Sequence, residues 1–377
     1  MTHLCRPADL RRAVTIALLT TMIAAPSVVA AAANVFEVRD VKVDVTAKTA
    51  AAAREKALAD GEVEAFHRLI QRLTLPADRA LLPELTRQEI SSLVKDFSVA
   101  QEKASTVRYL ASLDYTFKAD KIRRLLVDSG VPYAATLSKP VLIVPVYQSA
   151  GAPILWDDPN PWRDAWAARS PWAGLVPMLV PLGDLADIAT IDAQQAVEGD
   201  AARLAALARR YGAGDALVAH AVQTDPASAG PPELKVSVAR YRPEGRVQAQ
   251  VRTFRAGEGE TVDALFDRAV DSITGKIEDD WKQENLLRFD RPSVAAVIVP
   301  ITSLGDWLAV RRRLEDVAVL QRIDLVLLSR DQARVNLYYG GTPHQLLVAL
   351  EQADLNLVQQ GTEWILGLTP ATAPNES

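Results

Sequence analysis

The sequence contains few of the residues that commonly bind metals or act as nucleophiles. It has one cysteine, Cys5, and four histidines among 377 residues. His67, His220 and His344 fall in three different predicted domains and share no helical spacing, whereas a zinc site needs a closer set of ligands. The G-x-S-x-G, P-loop and H-E-x-x-H motifs are absent from the sequence as well. We therefore expect no metal, no cofactor and no catalytic residue.

Clustered positive charge is also absent. The chain has 42 basic and 47 acidic residues, a net charge of −5, and no basic block. Binding to nucleic acid depends on lysines and arginines that neutralise phosphates, so this composition argues against a nucleic-acid partner. The hydrophobic content of 49% and the charged content of 24% are ordinary for a globular protein.

A long apolar run occurs only at the N-terminus. Arg11 and Arg12 precede an uncharged stretch, residues 13–33, which contains Pro26 and ends in four alanines. A basic start, an apolar middle and a small-residue exit are typical of a secretory signal peptide, so we predict cleavage before Asn34 and a periplasmic mature chain. The alternative is an inner-membrane anchor, because the stretch is long enough to cross a bilayer. Its many alanines and threonines drive insertion weakly, which favours cleavage.

Cleavage of residues 1–33 would change the chemistry of the chain. It would remove Cys5, so the mature protein would have no thiol and no disulfide. It would also remove three arginines and one aspartate, which leaves 39 basic against 46 acidic residues and a net charge of −7. No second apolar run is long enough to span a membrane, and we expect no transmembrane helix in the mature chain.

The mature chain predicts an α/β (α+β) fold made of tandem small domains. We place an N-terminal domain at residues 34–137, a middle domain at 138–290 with a Trp-rich insert at 151–181, and a C-terminal domain at 291–370. A disordered tail follows at 371–377. The first domain begins with a strand at 35–45 and a long helix at 48–73. Thr86 and Glu89 then form a predicted capping box, and residues 107–117 alternate as a strand with one buried face.

Three segments of this first part resemble a known family. They are the helix AREKALADGEVEAFHRLIQRLT (53–74), the strand VRYLASLDYTF (107–117) and the helix KIRRLLVDSGVPY (121–133). These segments look like exported bacterial proteins of the domain-of-unknown-function 2066 family, and the resemblance covers roughly residues 34 to 290. It implies an exported location and an α/β fold. It implies no activity and no functional residues.

The sequence of the middle domain predicts a three-layer or two-layer α/β domain, in which helices cover the central strands. Residues 141–146, 175–180 and 216–222 are apolar throughout, which is typical of central strands. A helix from Asp200 to Gly212, two strands at 234–241 and 246–254, and a long helix at 262–281 complete the pattern.

The C-terminal domain predicts the order strand, helix, strand, strand, helix, strand. This is the ferredoxin-like βαββαβ order. Ser303 and Thr342 are the predicted helix caps, and two short strands close the domain around a turn at Gly361.

The Trp-rich insert is the most unusual part of the sequence. Its aromatic and polar candidates are Trp156, Asp157, Asp158, Asn160, Trp162, Arg163, Trp166 and Trp172. Asn160 and Pro161 predict the start of a short helix that places Trp162 and Trp166 on one face. One interpretation is a platform on which indoles stack against a sugar or a cation. The other is a loop whose large aromatic side chains pack on the sheet and order the chain.

Three functional hypotheses follow. The leading hypothesis is a non-enzymatic exported protein that binds a partner in the cell envelope. The second is a receptor for a glycan or lipid headgroup at the Trp-rich insert. The third is a hydrolase that uses Asp157 or Asp158, which is disfavoured because adjacent carboxylates rarely converge on one substrate.

Overall fold

The computed structural model describes residues 34–149, 151–169, 174–224, 231–242, 245–287, 293–361 and 363–369. The predicted signal peptide and the predicted tail lie outside these residues. The described chain is a mixed α/β structure with three sheets, which confirms the predicted fold class. Among the described helices, none combines the length and the apolar character needed to cross a membrane.

The first sheet is antiparallel, with the order β1-β3-β2. Its elements are β1 (Glu37–Thr46), α1 (Ala50–Leu73), a 3₁₀ helix (Pro76–Leu81), α2 (Arg87–Leu93), β2 (Val94–Ala104), β3 (Arg108–Phe117) and α3 (Ala119–Asp128). The capping box at Thr86 and Glu89 is present as predicted. Helix α1 lies close against β3 at Gly61, where a side chain would collide with Tyr115. The Tyr115 hydroxyl donates to the Leu58 carbonyl at 2.9 Å, which fixes this close approach.

The second sheet has five strands in the order β5-β4-β6-β7-β8. Its elements are β4 (Val141–Gln148), α4 (Pro161–Ala167), β5 (Met178–Leu179), α5 (Leu185–Thr190), α6 (Ala193–Glu198), α7 (Ala201–Arg210), β6 (Asp215–Gln223), β7 (Glu233–Arg242), β8 (Gly245–Arg255) and α8 (Val262–Glu284). Strand β4 is parallel to β5 and β6, and β6, β7 and β8 are antiparallel. Helices α4 and α8 cover one face, while α6 and α7 cover the other.

The prediction of a central strand at 175–180 was wrong. Only Met178 and Leu179 are in a strand, and this strand lies at the edge of the sheet. The backbone N–H groups of Leu175 and Val176 donate to the carboxylate of Glu278 on α8, each at 2.9 Å. These donors are therefore not available for pairing with a neighbouring strand.

The third sheet has the order β10-β11-β9-β13-β12. Its elements are β9 (Ser293–Pro300), α9 (Leu304–Glu315), β10 (Leu320–Leu328), β11 (Gln332–Tyr339), α10 (Pro343–Gln352), β12 (Leu355–Gln360) and β13 (Glu363–Leu368). The strand and helix order of the ferredoxin-like prediction is present, with one addition. Strand β13 turns back along β12 and lies parallel to β9, so it separates β12 from β9. The capping boxes at Ser303 and Thr342 are present as predicted.

The first and third sheets share one hydrophobic core, whereas the second sheet has a separate cluster on each face. Polar contacts accompany the shared core. The guanidinium of Arg123 lies over the ring of Phe36, 5.1 Å from its centre, and also donates to the Ala318 carbonyl at 3.4 Å. Lys139 forms an ion pair with Asp354 at 2.8 Å. The N-terminal and C-terminal segments are thus packed together although the middle segment separates them in sequence.

Candidate functional site

Trp162 and Trp166 are core residues. Asn160 caps α4, and the two indoles lie on the helix face that packs against the sheet and α8. Their exposed fractions are 0% and 2%. The rings meet edge to face with centres 5.8 Å apart, and Trp162 Nε1 donates to the Ala219 carbonyl at 2.9 Å. Neither indole has a free face on which a ligand could stack.

The polar residues of the insert hold the loop together. Asn160 is fully buried, and its Oδ1 accepts from the backbone N–H of Arg163 at 3.0 Å. The Arg163 guanidinium donates to the Trp156 carbonyl at 3.0 Å and to Asp158 at 2.5 Å. Trp156 is half-buried against the opposite face of the sheet, and its Nε1 donates to the Ile191 carbonyl at 2.7 Å. These groups satisfy the backbone of an irregular loop, as the second interpretation of the insert expected.

The two carboxylates of the proposed hydrolase do not converge on a cavity. Asp157 and Asp158 are exposed, and neither lines the cavity between the second sheet and α8 or the cavity beside Arg72. Asp158 is engaged by Arg163. Trp172, the remaining candidate, lies outside the described residues. The structure therefore brings Trp156, Asp158, Asn160 and Arg163 together as a loop anchor and places Trp162 and Trp166 beneath it.

A groove lies between the second sheet and the C-terminal half of α8. We call it the α8 groove, and its volume is about 380 Å³. Its floor is apolar and its walls are polar. The floor residues are Leu217, Val238, Ile277 and Trp281, and the wall residues are Arg240, Gln248, Gln250, Lys276, Asp280, Gln283 and Glu284. A volume of this size is within the range of small-ligand sites in proteins.

The groove arises because the side chains between β8 and α8 change from apolar to polar along the strand. Near the start of α8, Phe254 of β8 packs into the core beneath the helix. Further along, the same face of β8 presents Arg252, which donates to Ser272 Oγ of α8 at 3.0 Å, and then Gln250 and Gln248. The apolar Val251 points to the other side and is exposed. The strand thus turns its amide side chains toward the helix and its valine toward solvent, the reverse of the usual alternation.

The charges that line the α8 groove are balanced. Arg240 is bound to Asp215, with Nε 2.7 Å from Oδ2, and Lys276 is paired with Asp280 one helical turn away. Both basic side chains of the groove are therefore already paired. Glu284, which is exposed, forms no ion pair within the described residues, and the other polar side chains of the lining are uncharged amides. Trp281 is held at the floor by a 2.8 Å hydrogen bond from its Nε1 to the Thr136 carbonyl.

A second feature is the edge strand β10. It pairs with β11 only, so one side of its backbone has no neighbouring strand in the described sheet. Residues 325–328, Leu-Val-Leu-Leu, are all exposed. We call these four residues the β10 edge. An exposed apolar edge strand is a template for pairing with another chain, and proteins usually protect such edges.

The other edge strands of the three sheets have such protection. Strand β1 carries Arg39, Asp40 and Lys42, and β2 carries charged residues at both ends. Strands β5 and β12 are short, with two and six residues. Strand β8 ends at Arg255, which pairs with Glu233 at 2.6 Å. The β10 edge differs from these strands because residues 325–328 are uncharged, apolar and exposed, and a bulge between Leu325 and Leu327 is the irregularity within it.

Three buried or partly buried charged residues, Arg72, Glu278 and Lys282, lie where α8 meets the end of α1, and their contacts hold these two helices in place. Burial lowers the pKa of Arg72 to about 10, and burial also raises the pKa of Glu278 although two backbone N–H groups bind its carboxylate. Lys282 donates to the Gln71 and Thr74 carbonyls, each at 3.3 Å. The cavity beside Arg72 measures about 30 Å³, which is enough for a water molecule or two and too small for a ligand.

No protein-family model and no curated protein matches the chain. Four chains of solved structure match part of this chain, and two of them are the following. The crystal structure of lipoprotein GNA1162 from Neisseria meningitidis is similar over 37% of this chain and 96% of that protein, with 16% identity and a TM-score of 0.24. The C-terminal domain of LpoB from Salmonella enterica is similar over 37% of this chain and 95% of that domain, with 15% identity and a TM-score of 0.20. Nothing about the function of this chain follows from matches of this size.

Proposed function

We propose that this protein is exported to the cell envelope and binds a partner protein there without catalysing a reaction. The proposed contact is strand addition: an extended segment of the partner pairs with β10. The observation that carries the proposal is the exposed and uncharged apolar run of the β10 edge. Strand addition gives affinity through main-chain hydrogen bonds, and the side chains along the edge give specificity.

The composition of β10 suggests the character of the partner segment. Residues 325–328 are uncharged, so a charged strand would lose hydration there without gaining an ion pair. The two charged side chains within β10, Arg322 and Asp324, are paired with each other at 3.0 Å. The partner segment is therefore an apolar strand, exposed or disordered in the free partner.

The proposed location rests on the N-terminal pattern of residues 1–33 and on the resemblance to exported proteins of the domain-of-unknown-function 2066 family. Export with cleavage gives a chain that begins at Asn34. Mass spectrometry of the protein in a periplasmic extract tests this part of the proposal, and a chain that retains residues 1–33 in the membrane fraction contradicts it.

Site-directed crosslinking tests the contact. The mature chain has no cysteine, so Val326→Cys can be labelled at one position with a benzophenone maleimide and irradiated in an envelope extract. The matched control is Val251→Cys, because Val326 and Val251 are 62% and 58% exposed and both lie on edge strands. We expect position 326 to capture one protein of defined mass and position 251 to capture none.

Two results would contradict strand addition by a partner. One is equal capture at both positions. The other is a product of twice the chain mass from the purified protein alone, which would make a second copy the occupant of the edge. A Leu327→Lys substitution should abolish specific capture, because it places a charge within the apolar run.

A further inference from the structure

We propose that the α8 groove binds an uncharged saccharide. This site is separate from the β10 edge, and the ligand is a small hydroxyl-rich molecule instead of a protein strand. The inference rests on three properties of the groove: an oriented indole at its floor, amide side chains along one wall, and basic side chains that are already paired.

The floor offers a surface for the apolar face of a sugar ring. Trp281 lies there beside Val238 and Leu217, and its indole N–H is committed to the Thr136 carbonyl. This hydrogen bond fixes the plane of the ring and removes its only polar atom from ligand contact. What remains for a ligand is carbon surface, and the C–H groups on one face of a sugar pack on such a surface.

The wall supplies donors and acceptors at strand spacing. Gln248 and Gln250 are two residues apart on β8, and they lie opposite Arg240 and Val238 of β7. Each amide has a carbonyl that accepts and an NH₂ that donates, which matches hydroxyl groups that do both. The groove lies over the face of the sheet, so its contacts are made by side chains.

The charges argue against an ionic ligand. Arg240 is bound to Asp215 and Lys276 to Asp280, so an incoming anion would have to displace an internal partner. A cation would meet Glu284 as the one unpaired charge of the described lining, and water screens this exposed carboxylate. A neutral polyhydroxyl compound gains hydrogen bonds without breaking either pair. This proposal also gives a reason for the reversed alternation of β8. The amide side chains face the groove, where a ligand would bind, and Val251 is exposed to solvent as a result.

Titration monitored by NMR of the tryptophan indole N–H signals tests the proposal on the chain of residues 34–377. The probes are maltose, cellobiose and N,N′-diacetylchitobiose, with glucose 6-phosphate and glucosamine as charged counterparts. The Trp281 signal is assigned from its absence in Trp281→Phe. We expect at least one neutral probe to shift this signal and to bind more tightly than either charged probe.

Two variants locate the site. Gln250→Ala should weaken the binding of that probe about tenfold, the effect of losing one or two hydrogen bonds. Gln101→Ala removes an exposed strand glutamine of the first sheet and should leave binding unchanged. Unchanged circular dichroism of both variants excludes unfolding as the cause.

Three results would overturn the proposal. The first is no shift of the Trp281 signal with any neutral probe at concentrations on the order of 10 mM. The second is equal or tighter binding of a charged probe. The third is binding that Gln250→Ala leaves intact.

Discussion

At the scale of single residues, Glu260 is the acid with the most strongly lowered pKa among the described residues. It lies in the turn between β8 and α8, and Arg268 donates to its carboxylate through Nε at 2.8 Å and through Nη2 at 2.9 Å. The backbone N–H of Gly257 also donates to it at 2.7 Å. These hydrogen bonds, with that from Arg268 the largest, lower the pKa of Glu260 to about 2.

The lowered pKa of Glu260 predicts a pH-dependent stability. The folded chain binds the proton less readily than the unfolded chain, so the charged carboxylate stabilises the fold above the unfolded pKa of about 4.5. This contribution is lost as the pH falls from about 4.5 to about 2. We expect Glu260→Gln to be less stable than the native chain at neutral pH, and the difference to vanish across this range. Urea denaturation at several pH values measures it.

Glu258 provides the matched control for this prediction. It has the same charge in the same turn, and within the described ranges it forms no ion pair or hydrogen bond through its side chain. Glu258→Gln should therefore show no comparable loss of stability. Equal losses in the two variants would assign the effect to the charge of the turn, and the pair with Arg268 would then contribute nothing specific.

Single residues of the Trp-rich insert show what the sequence could and could not predict. The cap at Asn160 and the shared face of Trp162 and Trp166 were predictable, because both depend on local spacing. Whether that face meets solvent or a second layer depends on α8, which begins about a hundred residues later. An i,i+4 indole pair is compatible with both situations, so spacing alone could not decide between a binding platform and a core.

At the scale of elements, α4 depends on its two indoles for attachment. The helix has seven residues, and its buried side chains are Trp162 and Trp166. Trp162 packs against Phe266 of α8, with ring centres 6.0 Å apart. A helix this short has little stability of its own, so its position depends on this packing.

Trp162→Ala should therefore destabilise the protein. Truncating a buried tryptophan costs roughly 3–5 kcal/mol, because apolar contacts are lost and a cavity remains. Chemical denaturation followed by far-UV circular dichroism measures the change. Trp156→Ala, at a half-buried position of the same loop, should cost less. A Trp162→Ala variant as stable as the native chain would contradict the core assignment.

Some features of the helices and strands could be predicted because they depend only on residues close in sequence. Helix caps at Thr86, Ser303 and Thr342 were predicted and are confirmed, because a capping box involves only four neighbouring residues. The α8 groove was not found from the sequence. Its signal is the Gln248-x-Gln250-x-Arg252 alternation on β8, and its meaning depends on which face of the strand α8 covers.

Strand β13 is another feature beyond sequence reasoning. Its existence was predicted, but its place between β9 and β12 was not, because pairing order depends on contacts between distant segments. The prediction of a central strand at 175–180 was wrong for a similar reason. Its backbone binds Glu278, about a hundred residues away.

At the scale of the whole molecule, the shared core makes the N-terminal and C-terminal segments interdependent. The sheet of β1–β3 and the sheet of β9–β13 contribute to one hydrophobic cluster. Single contacts across it join residues about two hundred positions apart, such as Arg123 with Ala318 and Lys139 with Gln352. Neither segment buries its apolar surface fully by itself.

Removal of the C-terminal segment should therefore loosen the N-terminal sheet. In a chain of residues 34–290, we expect hydrogen exchange of β1 and β3 to be faster than in residues 34–377. The strands β4 and β6 should remain protected, because the second sheet has its own clusters on both faces. Unchanged protection of β1 and β3 would show that the first sheet is stable alone.

The shared core also imposes a delay on folding during synthesis. Strand β3 ends at Phe117 and β9 begins at Ser293, a separation of 176 residues. At about 5–20 residues per second, a ribosome needs roughly 10–35 s to make that stretch. For this time the apolar surface of the nascent N-terminal sheet that the C-terminal segment covers in the folded chain remains exposed.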